Sequence, residues 1–288
     1  MGFQSILVGI GIAILLLIPL AIKWQIRFRQ SFTGAVLIGL VAGLITNTVS
    51  VSFGGLGIME QVSLEAFIVI GLAMSSAAYM FYRDPERNAL EQDGIIVSPA
   101  DGSVIYIKEI DQGNVPLSVK KGRSFKLEEL TQTDLVQNGG YLIGIGMNLL
   151  NVHVNRAPVT SRVEMIKHVK GDFLSLKRPE AVLTNERFTT VFDEGEFKVA
   201  VVQIASRLVR RIETYLVENQ IVRRGQRMGM IKFGSQVDLV IPKLKNARIR
   251  VRPGDEVIAG VSVLVEYESN LKYESDLSEE DVADLQVI

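Results

Sequence analysis

The segment Ile231-Lys232-Phe233-Gly234-Ser235-Gln236-Val237-Asp238-Leu239-Val240-Ile241-Pro242 alternates apolar and polar residues as a strand does, and Phe233-Gly234-Ser235 interrupts the alternation where glycine permits a sharp bend. A hydroxyl beside an unhindered carbonyl can attack it. If the Ser235 oxygen adds to the Gly234 carbonyl, the amide becomes an ester, and elimination followed by hydrolysis leaves a pyruvoyl group in place of Ser235. Its ketone is an electrophile that ordinary side chains do not offer. A Gly-Ser pair alone also makes a simple turn or bulge, so the surrounding residues must decide between the two.

They occur as an ordered series: Tyr82-Arg83-Asp84-Pro85-Glu86-Arg87, Ser98-Pro99-Ala100-Asp101-Gly102, Val152-His153-Val154-Asn155-Arg156-Ala157-Pro158, Asn185-Glu186-Arg187 and Phe233-Gly234-Ser235. Over roughly residues 80 to 265 the series resembles the phosphatidylserine decarboxylase family, particularly its shorter bacterial and archaeal branch. Each motif is weak by itself, and the shared order makes the match specific.

The resemblance implies roles. Asp101, which alone would read as a turn carboxylate, joins the self-processing constellation, and an aspartate hydrogen-bonded to a histidine fixes its tautomer and raises its basicity. His153, which alone would read as a core residue of an apolar strand, becomes the general base and later proton carrier, with an ordinary pKa near neutrality. The pyruvoyl group formed from Ser235 is the covalent cofactor; it would receive the amine of a serine headgroup and accept the electrons released with CO2. One of Arg156, Arg187 or Arg210 holds the phosphodiester, since a planar donor fork suits a phosphate. His168, in a loop like the family's glycine-containing one, takes a peripheral or substrate-side place. The chain departs from the family pattern at Asn148, Leu149 and Asn151 before the histidine, at Arg156, where longer relatives carry a second histidine, and at Ser161. These changes bear on the later proton shuttle and leave the base in place.

These residues must be held by a scaffold of two kinds. Ile6 to Ile22 is uncharged and aliphatic, followed by Lys23, Trp24, Arg27 and Arg29, which reads as a membrane span with an interfacial aromatic and a cationic flank. A cleaved signal peptide would carry its charges before the run. Gly34 to Ile58 is a weaker, Thr- and Ser-containing candidate; Ala66 to Tyr82 is again aliphatic, with Glu60 and Glu65 in the link before it, facing water. Two or three spans follow, and with three the basic loop and the segment after Tyr82 share the cytoplasmic side of the cell (inner) membrane.

Beyond the anchor, β-rich runs recur at Ile95–Val97, Ser103–Ile107, Tyr141–Met147, Phe188–Phe192 and Phe197–Ala205, and residues 108 to 139 read as a hairpin whose Lys120, Lys121, Arg123 and Lys126 could meet anionic headgroups. Val222–Gly229 and Val251–Gly260 are two similar β-turn-β units of lipoyl-like type with no lysine placed for lipoate or biotin. The fold class expected is mainly β: a barrel-sandwich (lipoyl-like) domain over 84–267, behind an anchor over 1–83 and ahead of a loose acidic tail over 268–288. With no cysteine the chain has no disulfide, thiolate or zinc-cysteine chemistry, two histidines make no all-histidine metal centre, and a net charge of −1 gives no field for nucleic acid. The expected partners are a membrane phospholipid and further copies of the processed two-chain unit. The expected reaction converts phosphatidylserine to phosphatidylethanolamine and CO2; the alternatives are archaetidylserine as substrate, or a non-enzymatic membrane-anchored adaptor that stays uncut.

Overall fold

The computed structural model describes residues 2–24, 26–111, 114–115, 125–126, 135, 139–171, 185–205, 212–232 and 235–269. The expected basic loop at Lys120, Lys121 and Arg123, Arg210, the Phe233-Gly234 pair and the acidic tail from 270 onward lie outside these residues. The chain divides into two compact units, residues 1–83 with 148–150 and the remainder.

The first unit holds three helices long and apolar enough to cross a membrane, α1 (Gly2–Lys23), α2 (Phe28–Ser52) and α3 (Ile58–Tyr82). Glycine governs how closely α1 and α2 approach. A Cβ on Gly9 would lie 2.5 Å from the Gly39 carbonyl oxygen, and one on Gly43 would lie 2.6 Å from the Ile6 Cα, so the backbones touch where small residues permit it. Ala13, Ala35, Ala42 and Val69 fill the rest of the bundle core. Glu60 and Glu65 are not in a link. The Glu60 Oε2 accepts the Gly57 N–H at 3.0 Å and starts α3 at Ile58. That start puts Glu65 on the second turn, buried among the helices with 1% of its surface exposed.

The second unit is mainly β: β1 (Ile95–Val97), β2 (Gly102–Ile110), β3 (Asn114–Val115), β4 (Phe125–Lys126), β5 (Gly140–Met147), β6 (Val154–Arg156), β7 (Ser161–Val169), β8 (Arg187–Asp193), β9 (Lys198–Ile204), β10 (Ile212–Thr214), β11 (Ile221–Val222), β12 (Arg227–Ile231), β13 (Ser235–Pro242), β14 (Arg248–Ile249), β15 (Glu256–Val257) and β16 (Val263–Glu266). An eight-stranded antiparallel sheet runs β11-β7-β8-β9-β13-β5-β2-β15, with smaller sheets β10-β12-β6 and β1-β16-β14.

The central strands β5, β9 and β13 are buried on both faces, which explains their long apolar runs. Val237, Leu239 and Ile241 of β13 pack with Ile143, Ile145, Val199 and Val201 in the principal core. On the reverse face Val240 packs with Leu142, Ala200 and Val202. Gln236 and Asp238 share the register parity of Val240 and build a polar island there. The Tyr106 hydroxyl lies 2.8 Å from Asp238 Oδ2, and Gln236 Nε2 donates to Asp238 Oδ1 at 2.7 Å. Tyr106 reaches this face because the β2–β5 register slips between Val104 and Tyr106. Gly144 leaves room for its ring, since a Cβ there would come within 2.4 Å of it. Burial pushes the Asp238 carboxyl up to about 6.

Candidate active site

β12 belongs to a small sheet and β13 to the large one, so the chain passes between sheets from Ile231 to Ser235. From Ser235 onward β13 is held on both sides. It pairs with β5 from Ser235 opposite Met147 to Pro242 opposite Gly140, and with β9 from Gln236 opposite Ile204 to Val240 opposite Ala200. The peptide bond preceding Ser235 therefore lies ahead of this ladder, and cutting it severs none of these pairings.

His153 is brought to this crossing by the turn that follows β5. Its carbonyl accepts the Ile231 N–H at 3.2 Å, three residues before Gly234. The imidazole is fully buried, and its Nδ1 lies 2.9 Å from the Asn151 carbonyl oxygen. A carbonyl only accepts, so Nδ1 carries the hydrogen and the neutral ring keeps its lone pair on Nε2. Burial pushes the imidazole down to about 4, against the smaller opposing pull of the Asn151 carbonyl and the Asp101 charge. At neutral pH the ring is uncharged, the form a general base requires.

Asp101 is buried at the turn into β2, and its carboxylate has several partners. Oδ1 accepts Arg87 Nη1 at 2.6 Å and the Ala259 N–H at 2.8 Å; Oδ2 accepts Arg87 Nη2 at 2.9 Å and the Val152 N–H at 3.3 Å. With both oxygens occupied in this way, the carboxylate meets a guanidinium fork rather than the imidazole. It reaches His153 through the adjacent Val152 backbone and through its field, while Asn151 takes the orienting hydrogen bond. Arg87, whose motif was visible without a role, is the partner that sequence reasoning missed. The alternation of charges in Arg83-Asp84-Pro85-Glu86-Arg87 was the available signal.

Both groups of the Arg87–Asp101 pair are about nine-tenths buried, and removing one member strands the other. In a Ser235→Ala background, Arg87→Met is expected to cost about 3–5 kcal/mol, read as a lowered thermal midpoint. Arg87→Lys, which keeps the charge and loses the fork, is expected to recover part of it.

The arginines expected at a phosphate separate. Arg156 is 3% exposed and donates to the Gly225 carbonyl at 2.9 Å, to Asp84 Oδ1 at 3.1 Å and to the Pro85 carbonyl at 2.9 Å. Asp84 also accepts Arg227 Nε, and Glu86 accepts Arg227 Nη2 at 2.6 Å. Arg156 is thus a buried brace of the Asp84–Glu86 turn. Arg187 is 4% exposed and stands opposite Ile204, which stands opposite Gln236, so it has the parity of the reverse face. His168 lies in the row His168, Phe188, Gln203, Val237 across β7, β8, β9 and β13. Its ring stacks on Phe188 at 4.4 Å, and Nε2 lies 2.9 Å from Glu186 Oε1. Among the described residues there is no group of His, Asp or Glu arranged to hold a metal ion.

The sequence profile of the family described as phosphatidylserine decarboxylase matches residues 75–265. The "Putative archaetidylserine decarboxylase proenzyme" of Methanocaldococcus jannaschii is 40% identical over 184 residues, covering 64% of this chain and 86% of the relative. The phosphatidylserine decarboxylase proenzyme of Azorhizobium caulinodans is 33% identical over 74% of this chain and 83% of its own length. That of Chlorobium chlorochromatii is 35% identical over 73% and 86%.

Proposed function

Because the chain belongs to the phosphatidylserine decarboxylase family, we propose that it is a proenzyme which cuts itself between Gly234 and Ser235 and then decarboxylates a serine-headgroup phospholipid. The observation that supports this reading is the backbone pairing of His153, whose imidazole is buried, with Ile231, three residues before Gly234.

His153 Nε2 takes the hydroxyl proton of Ser235, Oγ bonds to the Gly234 carbonyl carbon, and the C–N bond breaks to give an ester. Loss of the Ser235 α-proton then expels the Gly234 carboxylate, and water replaces the nitrogen, which leaves as ammonia. The position fits the pyruvoyl group that results. It opens a strand, needs no ladder partner before it, and is anchored after it by β5 and β9. Once formed, the ketone accepts the substrate amine and takes up the electrons released as CO2 departs. Asp101, clamped by Arg87, keeps Val152 and so the His153 backbone in place.

Phosphatidylserine is the substrate of the first choice, by the names of two relatives; archaetidylserine is the second, favoured by the relative at 40% identity. The three apolar helices suit a membrane anchor. Lys23, Arg27 and Arg29, at the end of α1 and the start of α2 and on the same side as the chain after Tyr82, favour a cytoplasmic catalytic unit at the cell membrane. His168, paired with Glu186 at the edge of the Gln203 row, is assigned to the substrate side. The barrel-sandwich, lipoyl-like reading of the β unit is supported by its two β-turn-β pieces, which turn through Gly225 at φ 82° and Gly254 at φ 98°.

Detergent-purified protein is expected to give two chains, residues 1–234 and 235–288, the second without a terminal amine, by intact mass. Vesicles of phosphatidylserine and of archaetidylserine, supplied separately, are expected to release CO2 at different rates that name the backbone preference. A single uncut chain of 31.8 kDa with no CO2 from either would overturn the proposal.

A further inference from the structure

Two carboxamides on the Val237 face of the large sheet have no role in the steps above. Asn155, in β6, is fully buried two residues beyond His153, and in an extended segment that spacing returns to the same side. Gln203 of β9 is also fully buried and stands opposite Val237, the residue two beyond Ser235. Gln203 Nε2 donates to Asn155 Oδ1 at 2.8 Å. With its oxygen engaged there, Asn155 directs Nδ2 towards the Met147 sulfur at 4.0 Å, and Met147 is the register partner of Ser235.

A thioether is a weak acceptor. The amide N–H groups of Asn155 are thus held, dry and with little competing use, at the register level where the scissile bond meets β13. Glycine keeps this arrangement open from behind: Gly229 pairs with Asn155, and a Cβ on it would come 2.4 Å from the Glu213 carbonyl oxygen and 3.3 Å from Gln203 Nε2.

Attack of the Ser235 oxygen on the Gly234 carbonyl places negative charge on that carbonyl oxygen, and a preorganised donor in a water-excluded site is what stabilises such charge. We propose that Asn155 is the oxyanion donor of the self-cleavage step and that Gln203 is the positioning residue that sets its amide. The inference rests on self-cleavage at Ser235. It pairs base and donor, His153 and Asn155, on one short segment.

The test measures the fraction of uncut chain against time after synthesis, by gel and intact mass, together with the thermal midpoint. Asn155→Leu is expected to fold and to cleave about 10²–10³-fold more slowly, the usual loss for one such donor. Asn155→Asp separates a donor from a packing role. At pH 8 its carboxylate has no hydrogen to give, whereas near pH 5 a buried carboxyl regains one, while His153, pushed down to about 4, stays unprotonated. Slow cleavage of Asn155→Asp at pH 8 that recovers on acidification supports the assignment. Near wild-type cleavage in Asn155→Leu, or an Asn155→Asp protein equally slow at both pH values, overturns it. A wild-type chain that never cuts fails the proposed function instead, so the two failures are told apart.

Discussion

Ser235→Ala is expected to leave one uncut chain and no decarboxylation. The variant removes only the attacking oxygen, a change of one atom at the head of a strand whose ladder to β5 and β9 is made by backbone groups. Stability should therefore be close to that of the precursor, while both activities vanish together, because the hydroxyl is at once the nucleophile and the source of the later ketone. Gel electrophoresis and CO2 release from phosphatidylserine vesicles read the two losses. Fragments of unchanged size from Ser235→Ala would mean that another bond is cut, and retained CO2 release would mean that another group does the chemistry.

His153→Gln should block cutting nearly as completely, by about 10²–10⁴-fold for loss of a general base, and it carries a second signature in pH. The His153 imidazole is pushed down to about 4 from its ordinary 6.5, so the folded protein binds fewer protons than the unfolded chain between those values. Stability contributed at this site is unaffected above about 6.5 and falls as pH drops, by about 3 kcal/mol in all near pH 4. Asp238 and Glu194, whose carboxyls burial pushes up to about 6 and about 7, act with the opposite sign, holding protons that the unfolded chain has already released. The difference between Ser235→Ala and the Ser235→Ala, His153→Gln double variant cancels those carboxyls and isolates the histidine. Denaturant titrations from pH 7.5 to 4.5 should show the double variant gaining on the single one as pH falls. A constant gap would place the imidazole in a solvated setting at odds with its burial.

The sequence carried the strands and the three helices well, because uncharged runs and two-residue alternation are local properties. Ile95–Val97, Tyr141–Met147 and Phe188–Phe192 all fall within strands of the structure. Local reading stops where a side chain's partner is remote. Nothing in the sequence near Arg156 points to Asp84, 72 residues away, with which it pairs. Nothing near Asp101 points to Arg87, which meets both its oxygens. Glu65 reads as part of a link because the apolar run begins after it, whereas the Glu60 cap begins the helix before it. Tyr106 turns to Asp238 only because of a register slip, and a bulge adds one residue without altering composition. His153 and Asn155, by contrast, are two apart in Val-His-Val-Asn, and their shared side could be read from the spacing alone.

The place of β13 in the middle of the large sheet has a consequence for biosynthesis. A segment with neighbours on both flanks cannot be supplied afterwards at an open edge; the gap between β5 and β9 would close, or collect a foreign strand, before a separately made piece arrived. With the proposed cut ahead of Ser235, the intact precursor would act as an assembly jig, threading β13 into the centre while still tethered and releasing the tether once the architecture is complete. Scission after folding would then produce a two-piece catalyst that its pieces, made apart, could not readily reconstitute.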